Sequence, residues 1–152
     1  MRALRPLIFS LLLFGVPSLA HAQNGDVFGR WLTEDKKGVI DIGHCGDMVC
    51  GAIDYVKPDP AKTGTPHDEH NPDPKLRDRP LCGLVILYNF KETDPGKWEG
   101  LIYSPENGEI YHANMHLEGP ELKLRGYIGI SLLGETQTWT RAGPSVKSCR
   151  AG

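Results

Sequence analysis

Apolar and polar residues alternate along most of this chain with a period of two, and no helical period of useful length follows residue 23. Over residues 110–117, Tyr111, Ala113, Met115 and Leu117 share one face, and His112, Asn114 and His116 share the other. Over residues 122–128, Leu122, Leu124 and Ile128 oppose Lys123, Arg125 and Tyr127. Alternation of this kind predicts strands with one buried and one wet face, so His112 and His116 are expected to point outward. The same criterion predicts further strands over residues 28–33, 38–44, 50–56, 84–91, 97–103 and 135–141.

Turn chemistry separates these runs. Asp94-Pro95-Gly96, Ser104-Pro105-Glu106-Asn107-Gly108 and Glu118-Gly119-Pro120 each combine a fixed proline φ with glycine or asparagine, which tolerate positive φ. Eight short strands joined in sequence form a meander, and a meander removes its two unpaired edges by closing. The expected fold is therefore all-β: an eight-stranded antiparallel up-and-down barrel with one long inserted loop over residues 57–81. A β-sandwich produces many of the same signals but needs Greek-key crossovers, which short connections do not supply. Residues 84–90 are apolar on both faces, which predicts that something, most naturally the long loop, covers their outer side.

The N-terminus changes the picture of where this barrel works. Arg2 and Arg5 precede an apolar run over residues 7–16, and Ala20-His21-Ala22 places small residues where a signal peptidase reads them. Residues 1–22 are thus expected to be a cleaved secretory signal peptide, with residues 23–152 as the working domain in the periplasm or outside the cell. A membrane span needs about 20 apolar residues, and Pro17 ends this run early. Cleavage leaves 152 − 22 = 130 residues with 15 Lys+Arg and 19 Asp+Glu, a formal charge of −4. That balance offers no general attraction for nucleic acid.

All four cysteines, Cys45, Cys50, Cys82 and Cys149, lie in the exported part, where an even number favours disulfides. Cys45 and Cys50 flank a four-residue span that a tight hairpin closes, predicting one disulfide there. Spacing alone leaves open whether Cys82 pairs with Cys149.

Two sets of residues resemble known families. Gly29-Arg30-Trp31 resembles the Gly-x-Trp signature of lipocalins, and Arg141 stands where those barrels place an arginine against the tryptophan. The resemblance implies that Gly29, Trp31 and Arg141 close one end of the barrel. Over nearly the whole exported part, the chain resembles the bacterial family known as domain of unknown function 2147. Matching pieces include Cys45 with Cys50-Gly51, Asp68-x-x-Asn71-Pro72, Arg79-Pro80-Leu81, Tyr103-Ser104-Pro105, Leu124-Arg125-Gly126-Tyr127 and Thr136-Gln137-Thr138-Trp139-Thr140-Arg141. Ser104 departs from the acidic residue expected before the proline. This resemblance implies an exported, lipocalin-like barrel and a fixed partner for Arg79. It implies no activity.

Candidate chemistry follows from the barrel. Eight strands leave an interior that side chains fill or that holds one small ligand. Trp98, Tyr103, Tyr111 and Tyr127 are the candidate lining, with Arg79 at the rim; the competing reading is that these aromatics pack the core. The expected function is binding of a small apolar or amphipathic molecule. One alternative is an envelope module that docks a protein partner through the long loop and the apolar loop over residues 128–133. Another is a metal-dependent enzyme using residues 67–73, since His67, Asp68 and His70 carry suitable ligand atoms; against it, Asp68 and Asn71 equally suit turn capping. No nucleophile elbow, His-Glu-x-x-His or phosphate loop appears, so no catalytic residue, cofactor or resident metal is assigned.

Overall fold

In the computed structural model, which describes residues 26–150, eight antiparallel strands pair in sequence order and close into one barrel. They are β1 (Gly29–Leu32), β2 (Gly38–Cys45), β3 (Met48–Val56), β4 (Val85–Asp94), β5 (Lys97–Ser104), β6 (Glu109–Glu118), β7 (Glu121–Tyr127) and β8 (Glu135–Arg141). The expected signal peptide over residues 1–22 lies outside the described residues. Closure comes from β1 against β8, with Trp31 opposite Arg141 and Leu32 opposite Thr140. The meander is complete and there is no crossover, so the sandwich is set aside.

Alternation sets what faces inward. On β6, Ala113 and Met115 are buried while His112 and His116 are exposed, because Ala113 and Met115 oppose Gly100 and Trp98 on β5 and Gly126 and Leu124 on β7. Strand β4 departs from simple alternation. Asn89 has a φ of 59° and the register against β3 and β5 shifts around it. Asparagine tolerates that left-handed conformation, and the resulting bulge turns both Leu87 and Phe90 into the core. A second register shift, between Val85 and Leu87, leaves the adjacent Ile86 and Leu87 both buried, so these irregularities account for much of the doubled apolar face, while Val85 remains exposed.

One end of the barrel is packed shut. A Cβ at Gly100 would lie 2.5 Å from the Phe90 ring, so glycine there lets the ring lie flat against β5. Trp31 is fully buried, and its indole N–H donates to the carbonyl of Val27 at 2.8 Å. The Arg141 guanidinium lies 3.9 Å above the Trp31 ring and donates to the carbonyls of Phe28 and Asp26. A guanidinium on an indole face gains both charge–quadrupole attraction and stacking. Gly29, with a φ of 104°, sits beneath that arginine. Phe28 adds edge contact with Trp98, at 6.4 Å between ring centroids.

Two disulfides tie the outer elements. Cys45–Cys50 spans the β2–β3 hairpin with 5.8 Å between Cα atoms, and Cys82–Cys149, at 6.0 Å, joins the long loop to the C-terminal tail. The second pairing, left open by the sequence, fastens the tail to the wall.

Candidate functional site

The opposite end of the barrel is open. A cavity of about 480 Å³ enters the lumen there, within the range of small-molecule sites. Its depth is apolar, formed by Ile40, Ile53, Ile86, Ile102, Leu124 and Trp139. Its rim is polar, with Asp35 and Lys37 from the β1–β2 loop, Glu106 and Asn107 from the β5–β6 turn, and Glu135 and Gln137 from β8. Inward positions near this mouth are mostly small or branched, with Tyr111 at the border and Trp139 on the floor, whereas the closed end packs Trp31, Phe90 and Trp98 together. The difference in volume leaves one end empty. Gly126 contributes no side chain, and a Cβ there would meet only Ile102 and Tyr111 at 3.9 Å. Gln137 is held by the Trp139 indole N–H at 2.9 Å.

The aromatic candidates divide between three places. Tyr111 borders the cavity, its hydroxyl donating to Glu109 at 2.8 Å and accepting from Asn107. Tyr103 also borders it, but its hydroxyl is committed to Asp68. Trp98 packs toward the closed end, away from the cavity. Tyr127 stands on the outer wall, stacked on His112 with 5.7 Å between ring centroids, and its place follows from parity: Gly126 is the inward residue at that level.

Arg79 is not a ligand-facing rim residue but half of a buried clamp. Asp68 is fully buried, and its Oδ2 accepts from Arg79 Nη2 at 2.7 Å, Arg79 Nε at 2.8 Å and Asn71 Nδ2 at 2.8 Å. Its Oδ1 accepts from the Tyr103 hydroxyl at 2.7 Å. Burial alone pushes the Asp68 carboxyl upward; the bonds from Tyr103, Asn71 and Arg79, with the Arg79 charge, outweigh it and hold the group below its ordinary value. Burial and the adjacent Asp68 push the Tyr103 hydroxyl up. Both Asp68 oxygens are thus engaged inside the clamp. His67 pairs with Pro80 in a short bridge and the His70 ring nitrogen meets the Pro105 carbonyl at 3.3 Å. Among the described residues, no group of three or more His, Cys, Asp or Glu is arranged to hold a metal ion.

A second carboxylate clamp escaped the sequence reading. Asp54, buried on the outer wall of β3, accepts from Arg30 Nε at 2.6 Å, Arg150 Nε at 2.9 Å and the Ser148 hydroxyl. Here too burial raises the carboxyl, and the bonds from Ser148, Arg150 and Arg30 bring it below its ordinary value. A lone acid inside an apolar strand, with a cysteine-bearing tail to cover it, is the signal that marks the site.

The long loop carries a 3-10 turn, Pro74–Leu76, capped by Asp73. Its first part arches over a second recess of about 490 Å³ that shares Val56, Leu81, Pro105 and Glu106 with the lining of the lumen cavity.

An eight-stranded meander barrel closed at one end by a Trp–Arg pair and open at the other defines a lipocalin-like protein. In agreement, the fold is similar to that of protein HP1028 from the human pathogen Helicobacter pylori, described as belonging to the lipocalin family. The TM-score is 0.67, at 20% identity, over 78% of this chain and 84% of that one. The chain belongs to the family described as "Uncharacterized protein conserved in bacteria (DUF2147)", whose model matches residues 29–141. Comparison with curated proteins returns no match.

Proposed function

We propose that this protein is an exported, periplasmic lipocalin-like carrier that takes one small apolar or amphipathic molecule into the open end of its barrel. The observation that carries this reading is the cavity of about 480 Å³ with an apolar depth and a polar rim. Burying ligand surface there yields about 25 cal/mol per Å² before ordering costs are subtracted. The walls are pre-formed: two carboxylate clamps and two disulfides fix the outside of the barrel, so little ordering is left for the moment of binding. Two disulfides also fit an oxidising compartment.

Native mass spectrometry of the protein isolated from its own compartment tests the proposal. We expect the 130-residue form, with a bound small molecule that is lost on denaturation. A protein that retains residues 1–22, or that flies bare while stoichiometrically bound to another polypeptide, contradicts it. The second outcome would favour docking of a protein partner, for which the exposed Ile128, Ile130, Leu132 and Leu133 beside the mouth are the supporting observation.

A further inference from the structure

The recess beneath the long loop is built differently from the rest of the surface. Residues 57–67 are exposed without interruption, although both ends of this stretch are fastened. Lys57 donates its N–H to the Lys37 carbonyl at 2.7 Å, and beyond the stretch Asp68 and Leu81 bond across the loop to Arg79 and Pro66 at 3.0 and 2.9 Å. Between those anchors the backbone bonds only to itself, Lys62 to Asp59. The result is an arch that stands off the wall with a space of about 490 Å³ beneath it. Its far footing is also rigid. Gly108, with a φ of 73°, passes so close to the His70 carbonyl that a Cβ would lie 2.1 Å from the oxygen. This seats the loop on the β5–β6 turn, and Val56, Leu81, Pro105 and Glu106 border both the arch space and the lumen.

The lining differs in kind from that of the lumen. Thr63, Thr65, His67, His70 and Lys57 supply hydrogen-bonding groups. Its charges nearly cancel: Lys62 is held by Glu69 at 2.8 Å, and Lys57, Asp59 and Glu106 together leave a single negative charge over. No surplus of cations is present to hold a carboxylate or phosphate. At the lumen rim Lys37 is matched by Asp35 at 3.5 Å, and Glu106 and Glu135 have no ion-pair partner among the described residues.

We propose that the arch space is the second compartment of a single binding site. It takes the uncharged, hydroxyl-rich head of an elongated amphiphile whose apolar end lies in the lumen. Hydroxyls suit it because each one donates and accepts, and the lining offers both roles without a surplus of positive charge. This deepens the carrier reading and rests on it.

Titration of the purified domain with octyl glucoside below its micelle concentration, octanol, octanoate and octylamine, followed by calorimetry, tests the two compartments separately. We expect octyl glucoside to bind about tenfold tighter than octanol, the gain of one or two net hydrogen bonds, and octanoate to bind no tighter than octanol. Thr65→Trp, or Thr63→Trp if the first variant melts early, fills the arch space. Either should bring octyl glucoside to the affinity of octanol while leaving octanol unchanged. Gly126→Leu, which fills the lumen, should weaken both. Octyl glucoside binding no tighter than octanol, either ion binding tighter than the glucoside, or indifference of the glucoside to the arch substitutions overturns the second compartment while leaving the lumen reading in place. Failure of all four probes to bind overturns both.

Discussion

The two ends of this barrel are made by the same strands with the same alternation, yet one is filled and the other is empty. At the closed end the inward positions hold Trp31, Phe90 and Trp98, with Arg141 laid over the Trp31 ring. At the open end they hold isoleucines, Leu124, Gly126 and the polar Gln137 and Glu135, with Trp139 as the floor and Tyr111 at the border. Parity decides which residues point in, but side-chain volume decides whether they meet. A core stores its stability where large side chains interlock, so stability is concentrated at the closed end and binding capacity at the open one.

Trp31→Ala should break this division most severely. Loss of a fully buried tryptophan costs about 3–5 kcal/mol, a large share of the 5–15 kcal/mol that holds a typical domain together. Removing the indole also strands Arg141 above a void. Chemical denaturation monitored by circular dichroism should show that loss. A Trp31→Ala barrel that melts like the parent would mean the closed end is not the seat of stability.

The wall clamps come next. Asp68→Asn leaves Arg79 facing a neutral partner in a buried network, with an expected loss of about 3 kcal/mol at pH 7. The pH dependence has a definite sign. Burial raises both carboxyls, but the hydroxyls, arginines and amide that bond to them outweigh it, so Asp54 and Asp68 have folded values below the unfolded one. The stabilisation is therefore present above the unfolded carboxylate value, near pH 4, and is lost as pH falls through the depressed folded values. Asp68→Asn should flatten that acid limb. A limb as steep as the parent's would show that Asp68 titrates normally and the clamp is weak.

How much of this was legible in the sequence follows the same physical divide. The eight strands and their order could be read because alternation is a local signal, written residue by residue. The Trp31–Arg141 contact was readable only through resemblance, since nothing local links positions at opposite ends of the chain. Strand β4 misled because a bulge at Asn89 shifts parity, and a left-handed asparagine has no fixed place in a two-residue period. Tyr127 was a candidate for the lining although its own alternation placed it opposite Leu122 and Leu124; the structure puts it where parity said. Arg79 carried a sound hint of a fixed partner, and that partner is Asp68, eleven residues away and inside the same loop. The Asp54 clamp needs Arg30, Ser148 and Arg150 from distant segments; the lone acid in an apolar strand marks the place, but no short-range pattern names its partners.

The most direct test of the division between the two ends places the change at the empty one. Gly126→Leu adds a side chain into the lumen, where a Cβ has room. Titration of parent and variant with an apolar fluorophore, alongside their denaturation curves, compares the ends in one experiment. The expected result is an affinity lowered by about tenfold or more with stability within about 1 kcal/mol of the parent. Unchanged affinity in a folded variant would contradict the account, because the open end would then not be where the ligand goes.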